Sequence, residues 1–107
     1  MTDILTKIEN EVKANKIIIY MKGDKNAPQC GFSAAVVDIF KLLDVPFETR
    51  DILQDNELRE GIKKYSNWPT IPQIFINGKF IGGCDITREL YQTGELQKIV
   101  KESVKAQ

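Results

Sequence analysis

Histidine is absent from the 107-residue sequence. That absence excludes a Ser-His-Asp triad, a Cys-His nucleophile pair and any imidazole metal ligand. Cysteine is nearly as scarce: the two residues, Cys30 and Cys84, cannot complete a four-thiolate zinc or iron–sulfur site within one chain. Neither sign of charge is in excess, with 15 Lys and Arg against 15 Asp and Glu, so the basic surplus of a nucleic-acid binder is missing. No stretch approaches the ~18–20 apolar residues of a membrane span. The amino terminus, Met1-Thr2-Asp3-Ile4, is polar and acidic, unlike a secretory signal or an Arg-rich transit peptide. Internal repeats, low-complexity tracts and linkers are also lacking. The chemistry must therefore run on a thiol, carboxylates, amines or a borrowed group.

What is present fits one domain over residues 1–107, with 42% hydrophobic residues and five Phe, three Tyr and one Trp. A chain of this size buries about two-thirds of its unfolded surface around one core. Two cysteines in such a domain read as intracellular thiols rather than a disulfide framework, which points to a reducing compartment.

The periodicity orders the elements. Ile4, Leu5, Ile8 and Val12 share a helical face over about residues 3–14. Ile17-Ile18-Ile19-Tyr20-Met21 is the continuous apolar, β-branched run of a central buried strand. A polar loop, Lys22 to Gln29, follows it. Phe32, Val36, Ile39, Phe40 and Leu43 pattern a second helix that closes before Pro46. Phe47-Glu48-Thr49-Arg50 reads as a short strand half-buried by alternation. Asp55 caps a third helix carrying Leu58, Ile62 and Tyr65, weakened at Gly61 by about 1 kcal/mol relative to Ala. Gln73-Ile74-Phe75-Ile76 and Lys79-Phe80-Ile81 flank Asn77-Gly78, a type I′ hairpin signature. Ile86, Leu90 and Tyr91 mark a fourth helix broken at Gly94, and Leu96, Ile99, Val100 and Val104 a fifth. The order α-β-α-β-α-β-β-α-α predicts an α/β fold: a mixed four-stranded sheet with a parallel pair, an antiparallel hairpin and helices on both faces.

Cys30-Gly31-Phe32-Ser33 falls between the first strand and the second helix, where α/β sheets concentrate redox and ligand chemistry. Unpaired amides of the helix's first turn stabilise a thiolate at Cys30, as does the Lys22 ammonium if it folds back. Gly31 places no side chain beside the sulfur. The bland alternative is a buried structural cysteine. Where a C-x-x-C motif has its resolving cysteine stands Ser33, whose hydroxyl cannot displace sulfur. A dithiol cycle in this loop is excluded; a one-thiol cycle with an external thiol, or thiolate ligation of a metal, remains.

Over nearly its whole length the chain resembles the monothiol glutaredoxins of CGFS type. The resemblance rests on Lys22-Gly23, Cys30-Gly31-Phe32-Ser33, Trp68-Pro69-Thr70-Ile71-Pro72 and Gly82-Gly83-Cys84-Asp85, in that order, and suggests a short, single-domain, cytoplasmic, bacterial-like member. It implies a thioredoxin fold, a cis peptide before Pro72 that turns the Ile71 backbone to the thiol loop, and a glutathione groove. There Lys22 and Arg59 would meet the glycine carboxylate, Ile71 would offer its N–H and C=O to the cysteinyl unit, and the Cys84 amide with the Asp85 side chain would meet the γ-glutamyl end. Each residue also has an ordinary reading: solvated surface charges, an N-cap at Asp85, a plain turn at Pro72, packing at Trp68. Cys84 is expected as a structural thiol with a backbone contact rather than a partner for Cys30, although the two would pair if their Cα atoms came within ~7 Å. Asn67-Trp68-Pro69 is typical of this subgroup, and Trp68 would shape the groove.

The resemblance further implies a [2Fe–2S] cluster. Such a cluster takes four thiolates in its all-cysteine form; two copies of the chain would supply two through Cys30, and two glutathiones the rest. The expected function is storage and transfer of the cluster to apo iron–sulfur proteins, as a cluster-bound homodimer or with a BolA-type protein, with no nucleic acid or membrane partner. The alternatives are a glutathione-dependent oxidoreductase acting on protein–glutathione mixed disulfides through Cys30, and an interaction module without cofactor.

Overall fold

The computed structural model describes residues 3–105, and for Val104 and Lys105 the backbone alone. In chain order the elements are α1 (Ile4–Ala14), β1 (Ile17–Met21), β2 (Gly23–Asp24), β3 (Ala27–Pro28), α2 (Gly31–Leu42), β4 (Glu48–Asp51), α3 (Asn56–Ser66), β5 (Gln73–Ile76), β6 (Lys79–Gly82), α4 (Cys84–Thr93) and α5 (Glu95–Lys105). The main sheet runs β4-β1-β5-β6. β1 pairs parallel with β4 and antiparallel with β5, and β5 pairs antiparallel with β6. The mixed four-stranded sheet is thus as expected.

Strand alternation divides the core into two layers. Ile17, Ile19 and Met21 of β1 pack with Val36, Val37 and Phe40 of α2, Cys84 of α4 and Leu96 and Val100 of α5. Ile18 and Tyr20 turn the other way, to Ile8 and Val12 of α1, Leu58 and Ile62 of α3, and Phe75. Every β1 residue is buried, so each large apolar side chain there contributes about 1.5–3 kcal/mol. The one polar group in that run is satisfied: Tyr20 donates its hydroxyl to Glu11 Oε1 at 2.8 Å, and Arg50 Nε donates to Glu11 Oε2 at 3.2 Å. Burial, reinforced by the Glu11 carboxylate, raises the Tyr20 phenol far above its ordinary range and keeps it a neutral donor.

Three local expectations change. The segment read as a polar loop is a small hairpin, β2 pairing with β3. Its strands are two residues each, too short to leave a periodic pattern. Phe47 lies outside β4, which starts at Glu48 and shows no alternation of burial; its ring instead packs on Phe40 at 5.8 Å between centroids. Gly61 is no mere weak point: a Cβ there would sit 2.8 Å from Ile4 Cγ1 and 3.2 Å from Ile8 Cδ1, so the missing side chain is what lets α1 approach α3. The Asn77-Gly78 turn has φ of 52° and 81°, both positive as a type I′ turn requires. Gly94 closes α4 with its N–H on Tyr91 O at 3.2 Å. The Val104 side chain, expected on the apolar face of α5, lies outside the described residues.

Candidate functional site

The chain leaves β1 at Met21 and reaches the thiol through the β2–β3 hairpin. Asp24 Oδ1 accepts the N–H groups of Asn26 and Ala27 at 2.8 and 2.9 Å, making the turn. β4 and Phe47 just before it pin the hairpin from the side. Gly23 N–H donates to Asp51 Oδ1 at 3.0 Å, and Lys25 Nζ donates to Phe47 O at 2.9 Å while lying 5.5 Å from the Phe47 ring centroid. At Gly23, with φ of +83°, a Cβ would come within 2.4 Å of Ala27 O, so only glycine fits. The Lys22 backbone is held from both sides: its N–H donates to Ser33 Oγ at 3.2 Å, and its carbonyl accepts from Gln29 N–H at 2.9 Å.

Cys30 is itself the N-cap of α2, with φ −152° and ψ 156°. The Ser33 N–H donates to Cys30 Sγ at 3.3 Å, and Ser33 Oγ lies 3.4 Å from the same sulfur. Since that hydroxyl already accepts from Lys22, its proton is free to point at a thiolate. Burial raises the thiol, but the Ser33 hydroxyl, the Ser33 and Phe32 amides and the Lys22 charge outweigh it, and Cys30 is more acidic than an ordinary thiol. Cys30 is half-buried, and a Cβ at Gly31 would meet nothing within 4 Å.

Beside this loop opens a cavity of about 460 Å³. Lys22, Arg59, Ile71, Cys84 and Asp85 all contribute to its wall; four separate stretches of the sequence are thus brought together. Cys30 is not a wall residue, although its neighbours Lys22 and Phe32 are. The cavity is polarised. Lys22, Arg59 and Lys63 bring positive charge, and Asp85 sits in the first turn of α4. Asp85 is not the cap: Gly83 is, and no side chain hydrogen-bonds the α4 amino terminus, leaving its amides to a ligand. Arg59 Nε and Trp68 Nε1 are buried with no hydrogen-bond partner among the described residues, a donor pair suited to a polar guest. The Ile71–Pro72 peptide is cis, as expected. Both cysteines are free, and burial pushes the Cys84 thiol up.

Sequence reasoning missed two residues. Ser33 was read for the thiol it lacks, when it is the closest donor to the sulfur. Lys63 lies one helical turn after Arg59, an i,i+4 spacing that puts both on one face. Among the described residues no group of three or more His, Cys, Asp or Glu is placed to hold a metal, and no helix is long and apolar enough to cross a membrane.

The sequence model of the glutaredoxin family matches residues 17–81. An "uncharacterized monothiol glutaredoxin ycf64-like" of Synechocystis is 58% identical over 95 residues, which cover 89% of each chain. The solution structure of reduced poplar apo GrxS14 superposes with a TM-score of 0.83 at 50% identity, covering 92% of this chain and 91% of that one. The crystal structure of a buckwheat glutaredoxin–glutathione complex reaches a TM-score of 0.84 at 26% identity, covering 94% and 89%.

Proposed function

Because the chain belongs to the glutaredoxin family, in its monothiol branch and with its thioredoxin fold, we propose that it seats glutathione in the cavity beside Cys30 and carries a [2Fe–2S] cluster between proteins. One observation carries this reading: a single acidic, half-buried cysteine stands beside a polarised groove whose wall holds unpartnered buried donors. A groove that binds a thiol tripeptide next to a lone thiol supplies two cluster ligands; a second copy supplies the other two. Lys22 and Arg59 would hold the glycine carboxylate, the Ile71 backbone the cysteinyl unit, and the Cys84 amide with Asp85 the γ-glutamyl end. Lys63 adds to the positive end. Recipients would be apo iron–sulfur proteins, with a BolA-type protein as an alternative second subunit. The proposed location is a reducing compartment such as the cytoplasm, where a reactive thiol persists as a thiol.

The test is anaerobic reconstitution with iron, sulfide and glutathione. Wild type should develop sulfide-to-iron charge-transfer bands and elute as a dimer, and Cys30→Ser should do neither. A dimer that is colourless, or that forms without Cys30, counts against the carrier.

The acidity of Cys30 favours a second reading, reduction of protein–glutathione mixed disulfides. The Cys30 thiolate would attack the glutathione sulfur, releasing the protein thiolate and leaving Cys30 joined to glutathione. A second glutathione thiolate would then attack that bond, releasing oxidised glutathione and regenerating Cys30. A negligible turnover of such a mixed disulfide would remove this reading and leave the carrier.

A further inference from the structure

Gln73 opens β5, fully buried, with its backbone paired to Tyr20 in the centre of the sheet. Its side chain leaves the sheet and meets the Trp68–Ile71 loop. Nε2 donates to Trp68 O at 2.9 Å and to Thr70 O at 3.2 Å, which uses both protons of the carboxamide. The opposite orientation would set Oε1 against two carbonyl oxygens, so the amide has one workable direction. In that direction Oε1 is buried without a partner among the described residues. An apolar side chain of the same shape would remove that uncompensated atom, so the amide is kept for what its donors do.

We infer that Gln73 is a positioning residue for the glutathione groove: it fixes the loop wall, and above all the direction of the Ile71 N–H. In a trans peptide the C=O and the N–H point opposite ways, and among the described residues only Ile71–Pro72 is cis. Drawing the Thr70 carbonyl to Gln73 therefore turns the Ile71 N–H away from Gln73, on a residue that lines the cavity. The Trp68 carbonyl is held by the same amide, and Trp68 forms part of the same wall. Gln73 touches no ligand; the sheet acts on the groove through it. The ligand assignment rests on the function proposed above, while the anchoring itself does not.

The test separates the two. In wild-type protein, NMR should show the Gln73 carboxamide protons exchanging with water far more slowly than those of exposed Gln92; equal rates would overturn the inference without any variant. Trp68 is the single tryptophan, so its fluorescence reports the loop directly. Folded Gln73→Met should show greater acrylamide quenching of Trp68 and a dissociation constant for glutathione raised about tenfold, equivalent to ~1.4 kcal/mol. The pH titration of Cys30 should stay unchanged, since the groups that acidify it are Ser33 and Phe32 on α2 and Lys22 just after β1. Unaltered quenching and affinity in folded Gln73→Met overturn the proposal, because a merely structural role would lower the melting temperature and nothing else. Should wild type itself bind no glutathione, the functional reading fails, and the exchange and quenching results still decide Gln73.

Discussion

At Cys30 one atom serves as helix cap and as reactive centre. A side chain that accepts an N3 amide is what caps a helix, and the same amide, with the Ser33 hydroxyl, favours the charged form of the sulfur. Ser33→Ala should therefore raise the pH midpoint of thiolate absorbance near 240 nm and slow alkylation at neutral pH several-fold. The same change leaves the Lys22 N–H without its acceptor, a cost of about 1–3 kcal/mol visible in urea unfolding. An unshifted midpoint would mean that the amides and Lys22 alone set the acidity. The sign for stability follows. A thiol more acidic when folded than when unfolded, where its value is about 8.5, adds stability that is fully present above that pH and is lost as pH falls through the folded value. The stability gap between wild type and Cys30→Ser should accordingly widen as pH rises towards 8.5.

Elements that bury a full face were legible in the chain. The Ile17–Met21 run, the helical stripes and the Asn77-Gly78 turn each carry a local pattern that matches the packing found. The β2–β3 hairpin was not legible because its anchors, Asp51 and Phe47, lie far along the chain and a two-residue strand has no period. The groove residues became readable through family resemblance rather than spacing, since Lys22, Arg59, Ile71 and Asp85 meet only once the sheet is assembled. Gly61 shows propensity yielding to packing. Gly61→Ala gains about 1 kcal/mol of helix propensity, yet its Cβ would press on both γ carbons of Ile4, at 2.8 and 3.1 Å. Such overpacking costs about 1–3 kcal/mol, and branched γ carbons have no free end to swing aside. The variant should melt lower, and Ile4→Ala should recover part of the loss in a double-mutant cycle. Additive effects would show that the α1–α3 approach does not depend on this glycine.

For the whole molecule, balanced charge matters more than its zero sum suggests. The 15 positive and 15 negative side chains cancel at long range, so two copies meet without net repulsion, while the cavity keeps its own polarity from Lys22, Arg59 and Lys63. Phe32, 60% exposed beside the thiol, and exposed Ile86 of the same cavity give it an apolar border. A cluster held there as proposed would join four bodies, two chains and two tripeptides, and only the chains' own thiolates would be covalently fixed to protein. Each association costs translational and rotational freedom, so no single interface holds the assembly once one ligand leaves. With two glutathiones per dimer, mass action requires the assembled fraction, well below saturation, to rise as the square of free glutathione concentration. Visible absorbance measured at fixed protein, iron and sulfide should give a slope of about two on logarithmic axes, and desalting without glutathione should bleach the sample. A slope near zero, or colour that survives removal of the tripeptide, would mean that all ligands come from the chain. With Cys84 buried and no histidine in the sequence, a copy has no second thiolate or imidazole exposed beside Cys30, so either result would overturn the glutathione-bridged cluster.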